Sequence, residues 1–211
     1  MPHRFNPKDH QILQSPEREQ RLPIAVVLAA LNLRPTHTLI DIGAGTGYFT
    51  IPALKLLGKK GRVVAIDISR RMLIRLKENL KEKEPNLKLV VARAEKIPLP
   101  PACADRVLMA LVLHEVDDKS RVLAEARRLL KKNGTLVLVE WNKIAPPPGP
   151  PLPDRLAYNE LLPLVQQQGF LAIAHSDLNQ FHYLASFKPV LSNTLTTASD
   201  GYPDIMKRVN L

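Results

Sequence analysis

Hydrophobic positions along the chain switch repeatedly between short continuous runs and a helical spacing. Residues 37–42, Arg62–Asp67, Leu87–Ala92, Arg106–Leu113 and Thr135–Trp141 are short apolar runs. Such runs predict strands covered on both faces. Between them apolar residues recur every three or four positions. Met72, Leu73, Leu76 and Leu80 share one face of residues 69–84, and Val122, Leu123, Ala126, Leu129 and Leu130 share one face of residues 118–132. Both stretches predict amphipathic helices. Lys131 and Lys132 suit the end of the second, and Asn133-Gly134 should stop it. Residues 46–57 predict a helix that tolerates Pro52 near its start, and Lys59-Lys60-Gly61 predicts a turn.

The flanks are less regular. Ser15-Pro16-Glu17 combines an N-cap, a first-position proline and an acid in the first turn. It predicts a helix from 16 to 32, interrupted near Pro23. Residues 155–168 are expected to be helical despite Pro163, and Phe170–His175 with Phe181–Phe187 alternate like the strands of a closing hairpin. The proline run at 146–153 predicts a stiff loop and no linker, because too little chain follows to fold alone. Beyond Pro189 the periodicity is lost, which predicts a poorly ordered tail. The expected division is one domain over 1–188, beginning with an N-terminal helical segment over 1–33, and a tail over 189–211.

Strand and helix alternate from 37 to 141, so the sheet should be mainly parallel with helices on both faces. Ligands on such sheets bind at the carboxyl ends of the strands. Asp41, Asp67, His114 and Trp141 all fall on that edge.

Composition narrows the setting. The 211 residues suffice for one α/β domain with a sizeable core. No apolar run approaches the ~18 residues of a membrane span, and residues 1–10 lack the apolar segment of a secretory signal. Cys103 is the only cysteine, so an internal disulfide is ruled out and a cytoplasmic location is expected. The net charge of +10 admits an acidic partner such as nucleic acid. Lys and Arg are scattered without interleaved aromatics, however, which favours a basic solvated surface.

The chemistry concentrates in residues 38–50, TLIDIGAGTGYFT. A glycine turn between a buried strand and a helix exposes amide N–H groups and lets a ligand approach without a Cβ in the way. A dinucleotide fingerprint counted from Gly43 would need its third glycine where Tyr48 stands, and a phosphate-binding Gly-Lys-Ser/Thr is absent. The pattern is Asp-x-Gly-x-Gly-x-Gly over 41–47. Asp67, 24 residues after Gly43, ends the next strand, where a carboxylate can accept from both hydroxyls of a ribose. The alternative is that it caps the helix expected over 69–84, and ribose binding is the favoured reading.

In order and spacing, the segments IDIGAGTGYFT, VVAIDIS, ARAEKIPLPPACAD, LVLHEV and GTLVLVEW resemble the motifs of class I S-adenosylmethionine-dependent methyltransferases. The small, single-domain UbiE-like members are the most similar, over roughly residues 5 to 188. The resemblance implies a Rossmann-like seven-stranded sheet of order 3-2-1-4-5-7-6 with the last strand antiparallel. It implies S-adenosylmethionine as cofactor, with S-adenosylhomocysteine as product. Asp41, Gly43, Ala44, Gly45 and Gly47 would line it, Asp41 near the amino group of its methionine moiety. Asp67 would hold the ribose and Ile68 would pack on the adenine. Relatives carry an acid for the adenine amino group where this chain has Arg93, so that contact falls to the backbone at Ala94 or to Glu95. Leu111 would pass the methionine end. No metal is implied.

The implied reaction is methyl transfer by in-line displacement, which mainly needs alignment and exclusion of water. His114 is the candidate base, or else a histidine that organises its loop, and Glu115 would orient that ring or cap the next helix. Tyr48 and Trp141 are candidates for the acceptor wall, whereas Phe49 is expected in the core. His10 and Arg18 lie in the segment expected to close over the site. A small-molecule acceptor is the leading expectation. An arsenite methyltransferase would need several cysteines, and an RNA enzyme would use the basic stretch of Arg70, Arg71, Arg75, Lys77, Lys81 and Lys83. A non-catalytic module that only binds the cofactor is the remaining alternative.

Overall fold

In a computed structural model, residues 16–144 and 149–190 are described. Ser15, His10, the middle of the proline run and the stretch beyond residue 190 lie outside them. Strands β1 (Thr38–Ile42), β2 (Arg62–Asp67), β3 (Leu87–Val91), β4 (Ala104–Ala110), β5 (Leu130–Trp141), β6 (Phe170–Asp177) and β7 (His182–Pro189) form one sheet of order β3-β2-β1-β4-β5-β7-β6. The first five run parallel, and β7 is antiparallel to both β5 and β6. This is the expected fold class.

Alternation along the strands divides the core. Leu39, Val63, Leu108, Val137, Val139 and Leu184 pack against α2 (Ile24–Leu31) and α3 (Thr50–Leu57). Ile40, Ile42, Val64, Ile66, Val107, Met109, Leu136 and Leu138 point the other way, towards α5 (Lys119–Leu129) and α6 (Tyr158–Gln167). The helix α4 (Arg70–Asn79) covers Ala65 through Leu73 and Leu76. A short α1 (Pro16–Arg21) precedes α2 after a break at Pro23, as the sequence pattern predicts. The carboxyl ends of β1, β2, β4 and β5 therefore share one edge.

Several boundaries differ from expectation, each for a local reason. The helix expected from 46 begins at Thr50, because Gly43, Gly45 and Gly47 all take positive φ (75°, 54° and 91°). The helix expected to reach residue 84 ends at Asn79, whose side-chain amide donates to the Thr46 carbonyl at 3.0 Å. The strand expected to reach Leu113 ends at Ala110, since Leu111 adopts φ 60° and Leu113–Glu115 form a 3-10 turn. The helix expected to reach Lys132 ends at Leu129. Leu130 is extended, buried and paired with Ala104, and the chain bulges before pairing resumes at Arg106 and Thr135. In that bulge Lys131 Nζ meets the Asp105 carboxylate at 2.8 Å. The domain also runs past residue 188, because β7 includes Pro189 and the Val190 amide donates to Gly169.

Candidate functional site

The glycine turn is held from below and from the side. Ile66 O in β2 accepts from both the Gly43 and Ala44 amides, at 2.8 and 2.9 Å. A Cβ on Gly43 would lie 2.3 Å from the Val112 side chain, and one on Gly47 would lie 2.8 Å from Leu76. The positive φ and the crowding together exclude a side chain at either position.

Two carboxylates flank the turn. Asp67 Oδ2 accepts from the Gly45 amide at 2.9 Å, and Oδ1 accepts from the Ser69 amide at 2.7 Å. It thus ties the turn to β2 and also opens α4, where Ser69 is the N-cap. Burial raises its pKa against the pull of those two amides. Asp41 is 3 % exposed and accepts one hydrogen bond, from the Thr50 hydroxyl at 2.6 Å. Burial raises its pKa to about 6, Thr50 opposes the shift and the nearby Asp67 adds to it. Neither acid forms an ion pair among the described residues.

The sequence expectation omitted Glu140, which is 1 % exposed in β5. Its Oε1 accepts from the Val112 and Leu113 amides at 3.0 and 2.7 Å, and its Oε2 lies 2.8 Å from His114 Nδ1. One carboxylate therefore pins the loop that follows β4 and orients the histidine. The signal was present as a lone acid inside the apolar run 135–141. His114 is buried at 4 % exposure, with Nε2 3.8 Å from Glu115 Oε1. Burial depresses its pKa, but Glu140 and Glu115 outweigh that and raise it above the usual value. Leu111 heads this loop at positive φ, its amide bonded to Val139 O.

Of the residues assigned to adenine, Ile68 is largely exposed at the edge of the turn. Glu95 is half-buried and paired with Arg93 at 3.0 Å, so the arginine in the acid's place is held by the next candidate. Ala94 packs against the α5-side core. Cys103 sits at the opposite edge, just before β4.

The other side of the site is aromatic. Phe49 is buried in the core, edge-on to Tyr48. The Tyr48 hydroxyl lies 2.9 Å from both Glu19 Oε2 and Leu22 O, and the Arg18 guanidinium stands 4.6 Å from its ring centre. Glu19 and Arg18 of α1 thus reach Tyr48, the residue that follows the turn. Trp141 contacts the His182 ring at 4.1 Å and the Arg155 guanidinium at 4.9 Å, and Gly149 approaches it so closely that a Cβ would clash. A concavity of about 520 Å³ near Lys119, Lys143 and Glu160 touches none of the expected site residues. Among the described residues no cluster of His, Cys, Asp or Glu is placed to hold a metal ion, and no helix is long and apolar enough to cross a membrane.

These residues fit the cofactor that the sequence implies. At Gly43 and Gly47 the turn has no room for a side chain, and Asp41 is a buried acid without a countercharge among the described residues, suited to a cationic group.

Comparison with known proteins agrees. Residues 40–138 match the family described as methyltransferase domain. The chain is 32% identical over 187 residues to the ubiquinone/menaquinone biosynthesis C-methyltransferase UbiE of Bordetella avium, covering 89% of this chain and 68% of that one. It is 35% identical over 134 residues to the protein of that name from Acidiphilium cryptum, covering 62% of this chain but only 53% of the relative. A crystal structure of an S-adenosylmethionine-dependent methyltransferase from Aquifex aeolicus superposes with a TM-score of 0.82 at 26% identity, covering 89% of this chain and all of that one.

Two outcomes follow from the buried acids. A raised pKa means that the folded state holds the Asp41 proton more tightly than the unfolded chain does. Its contribution to stability therefore declines as the pH climbs from 3.8 to about 6 and stays lost above that. Asp41→Asn is expected to stabilise the ligand-free protein by about 1–3 kcal/mol near pH 8, with a smaller gain near pH 5. Urea unfolding at the two pH values measures this, and a destabilised variant near pH 8 contradicts it. Glu140→Gln is expected to cost about 1–3 kcal/mol and to lower the His114 pKa, read by NMR titration. An unmoved His114 titration would refute the contact.

Proposed function

The chain belongs to the UbiE-like class I S-adenosylmethionine-dependent methyltransferases, and on that premise we propose that it methylates a small-molecule acceptor in the cytoplasm. The cofactor, when bound, supplies a methyl group already activated on a sulfonium. Everything else falls to the protein: binding, alignment and exclusion of water.

Asp41, the amides of residues 43–47 and Asp67 would hold the cofactor. Asp41 offers its unmet charge to the amino group of the methionine moiety. Asp67 has lone pairs left after its two amide contacts and can accept from ribose hydroxyls. Ile68, Ala94 and Glu95 remain the proposed adenine neighbours. His114 acts as a positioning residue, because its buried ring is committed to Glu140 and with it fixes the loop containing Leu111 and Val112. Tyr48 and Trp141 wall the acceptor side, and Glu115 lies at its margin.

One observation carries the choice of acceptor. Of the aromatic wall, Trp141 stands at the end of β5 beside β7, and Tyr48, covered by α1, follows the turn after β1, while the exposed basic residues of α4 stand at the β2–β3 end. The basic stretch of α4 thus lies away from the acceptor side, where Arg18 and Arg155 instead pack on aromatic rings, and this favours a compact, partly apolar acceptor over RNA. The relatives' names point to a carbon atom of a quinone precursor as the methylated site, and we carry that over as the first substrate class to try.

Incubation with methyl-labelled S-adenosylmethionine and fractionated cell extract is expected to label the small-molecule fraction. Label confined to RNA, or none in any fraction, contradicts the proposal. Asp67→Ala is expected to weaken S-adenosylhomocysteine binding at least about tenfold, the loss of roughly 1.5–3 kcal/mol of charge-assisted hydrogen bonding. Calorimetry showing unchanged affinity would remove Asp67 from the site.

A further inference from the structure

Two buried side-chain nitrogens have no hydrogen-bond partner among the described residues, Arg18 Nε and His182 Nε2. Buried polar atoms are normally paired, so such exceptions call for an explanation. They occupy one neighbourhood. Arg18 lies over the Tyr48 ring, and its charge reaches His182 and depresses that histidine's pKa. His182 opens β7, pairs in register with Trp141 and lies against its ring. Arg18 of α1 thus lies on Tyr48, His182 lies on Trp141, and the two are near enough for the arginine's charge to act on the histidine.

The surroundings fix the chemistry of His182. Asn179 Oδ1 accepts from the Phe181 and His182 amides at 2.9 and 3.1 Å, while Asn179 Nδ2 donates to the Arg21 carbonyl. These three contacts set the amide's orientation, so an oxygen faces His182 Nδ1 at 3.3 Å. Nδ1 then carries the proton and Nε2 presents a lone pair. Burial, helped by Arg155, Arg21 and Arg18 and opposed by Glu140, lowers the pKa to about 4 and keeps the ring neutral. Arg18 Nε is by contrast an obligatory donor.

We propose that His182 Nε2 and Arg18 Nε recognise a hydroxyl group on the methyl acceptor. A hydroxyl satisfies both, because its proton goes to His182 and its oxygen accepts from Arg18. A carboxylate brings no proton for the histidine, and an ammonium brings no lone pair for the arginine. Access requires α1 to lift from Tyr48. The assignment rests on the small-molecule reading above, and it names two residues that neither the motif pattern nor the glycine turn selects.

The test uses 2-naphthol and 2-methoxynaphthalene as probes, titrated calorimetrically into the full chain saturated with S-adenosylhomocysteine. Wild type is expected to prefer the naphthol by about tenfold or more, the gain of pairing two buried polar groups. His182→Phe keeps a ring against Trp141 and is expected to bring the preference below about threefold with S-adenosylhomocysteine affinity unchanged. Arg18→Met, at the rim, is expected to reduce it as well, and guards against a His182 variant that fails to fold. Long-range 15N NMR of the free protein is expected to show His182 protonated at Nδ1 alone. No preference in wild type, no binding of either probe, an undiminished preference in both variants, or a proton on Nε2 overturns the assignment. Transfer of label to a small molecule with the same KM in His182→Phe also overturns it while leaving the proposed function standing. A hydroxyl preference without transfer to any small molecule does the reverse.

Discussion

The site is organised around a charge that is buried and, among the described residues, not neutralised. Asp41 lies one residue before the end of β1, next to the glycine turn, with one hydroxyl as partner among the described residues and Asp67 as a like-charged neighbour. Burying a carboxylate without a countercharge is unfavourable. The fold tolerates it because β1 lies inside the sheet, hydrogen-bonded to β2 and β4 along its length. Under the proposed function that unmet charge is the preference for a cationic cofactor, held in place before the cofactor arrives.

The other parts of the site are arranged so that this edge does not relax. Asp67 fastens the turn to β2, Asn79 fastens α4 to the turn, and the side chain of Val112 fills the space beside Gly43. Val112 is itself held by Glu140. A chain of contacts thus runs from β5 through the loop after β4 to the glycine turn. Acids near the carboxyl ends of β2 and β5 do the fastening, since a carboxylate can accept several backbone amides at once. The same logic explains the buried His114, whose proton-bearing Nδ1 completes the Glu140 set.

Much of this was legible in the sequence, for identifiable reasons. Three closely spaced glycines after an apolar run have few uses besides a turn against a ligand, and an acid ending the next strand has few partners besides that turn. The strand order followed from the family motifs, and the parallel arrangement from the alternation of periods. Glu140 was overlooked because it sits inside a run otherwise read as buried strand, although a lone acid there signals a buried partner. His182 was invisible, since its role depends on pairing with Trp141 across 41 residues of chain and on the orientation of Asn179. The end of α5 was misplaced at Lys132 because lysines and Asn-Gly suit a helix terminus, and only the pairing of Leu130 with Ala104 draws the chain into the sheet earlier.

Under the proposed function, Asp41 holds a charge for the cofactor's cationic end. Calorimetric titration of S-adenosylmethionine near pH 6, repeated in buffers of different ionisation enthalpy, tests it most directly by counting protons. With the Asp41 pKa at about 6 in the free protein, binding is expected to release roughly half a proton, and Asp41→Asn is expected to remove that release. Binding to wild type without proton release, or release that persists in Asp41→Asn, would contradict the account.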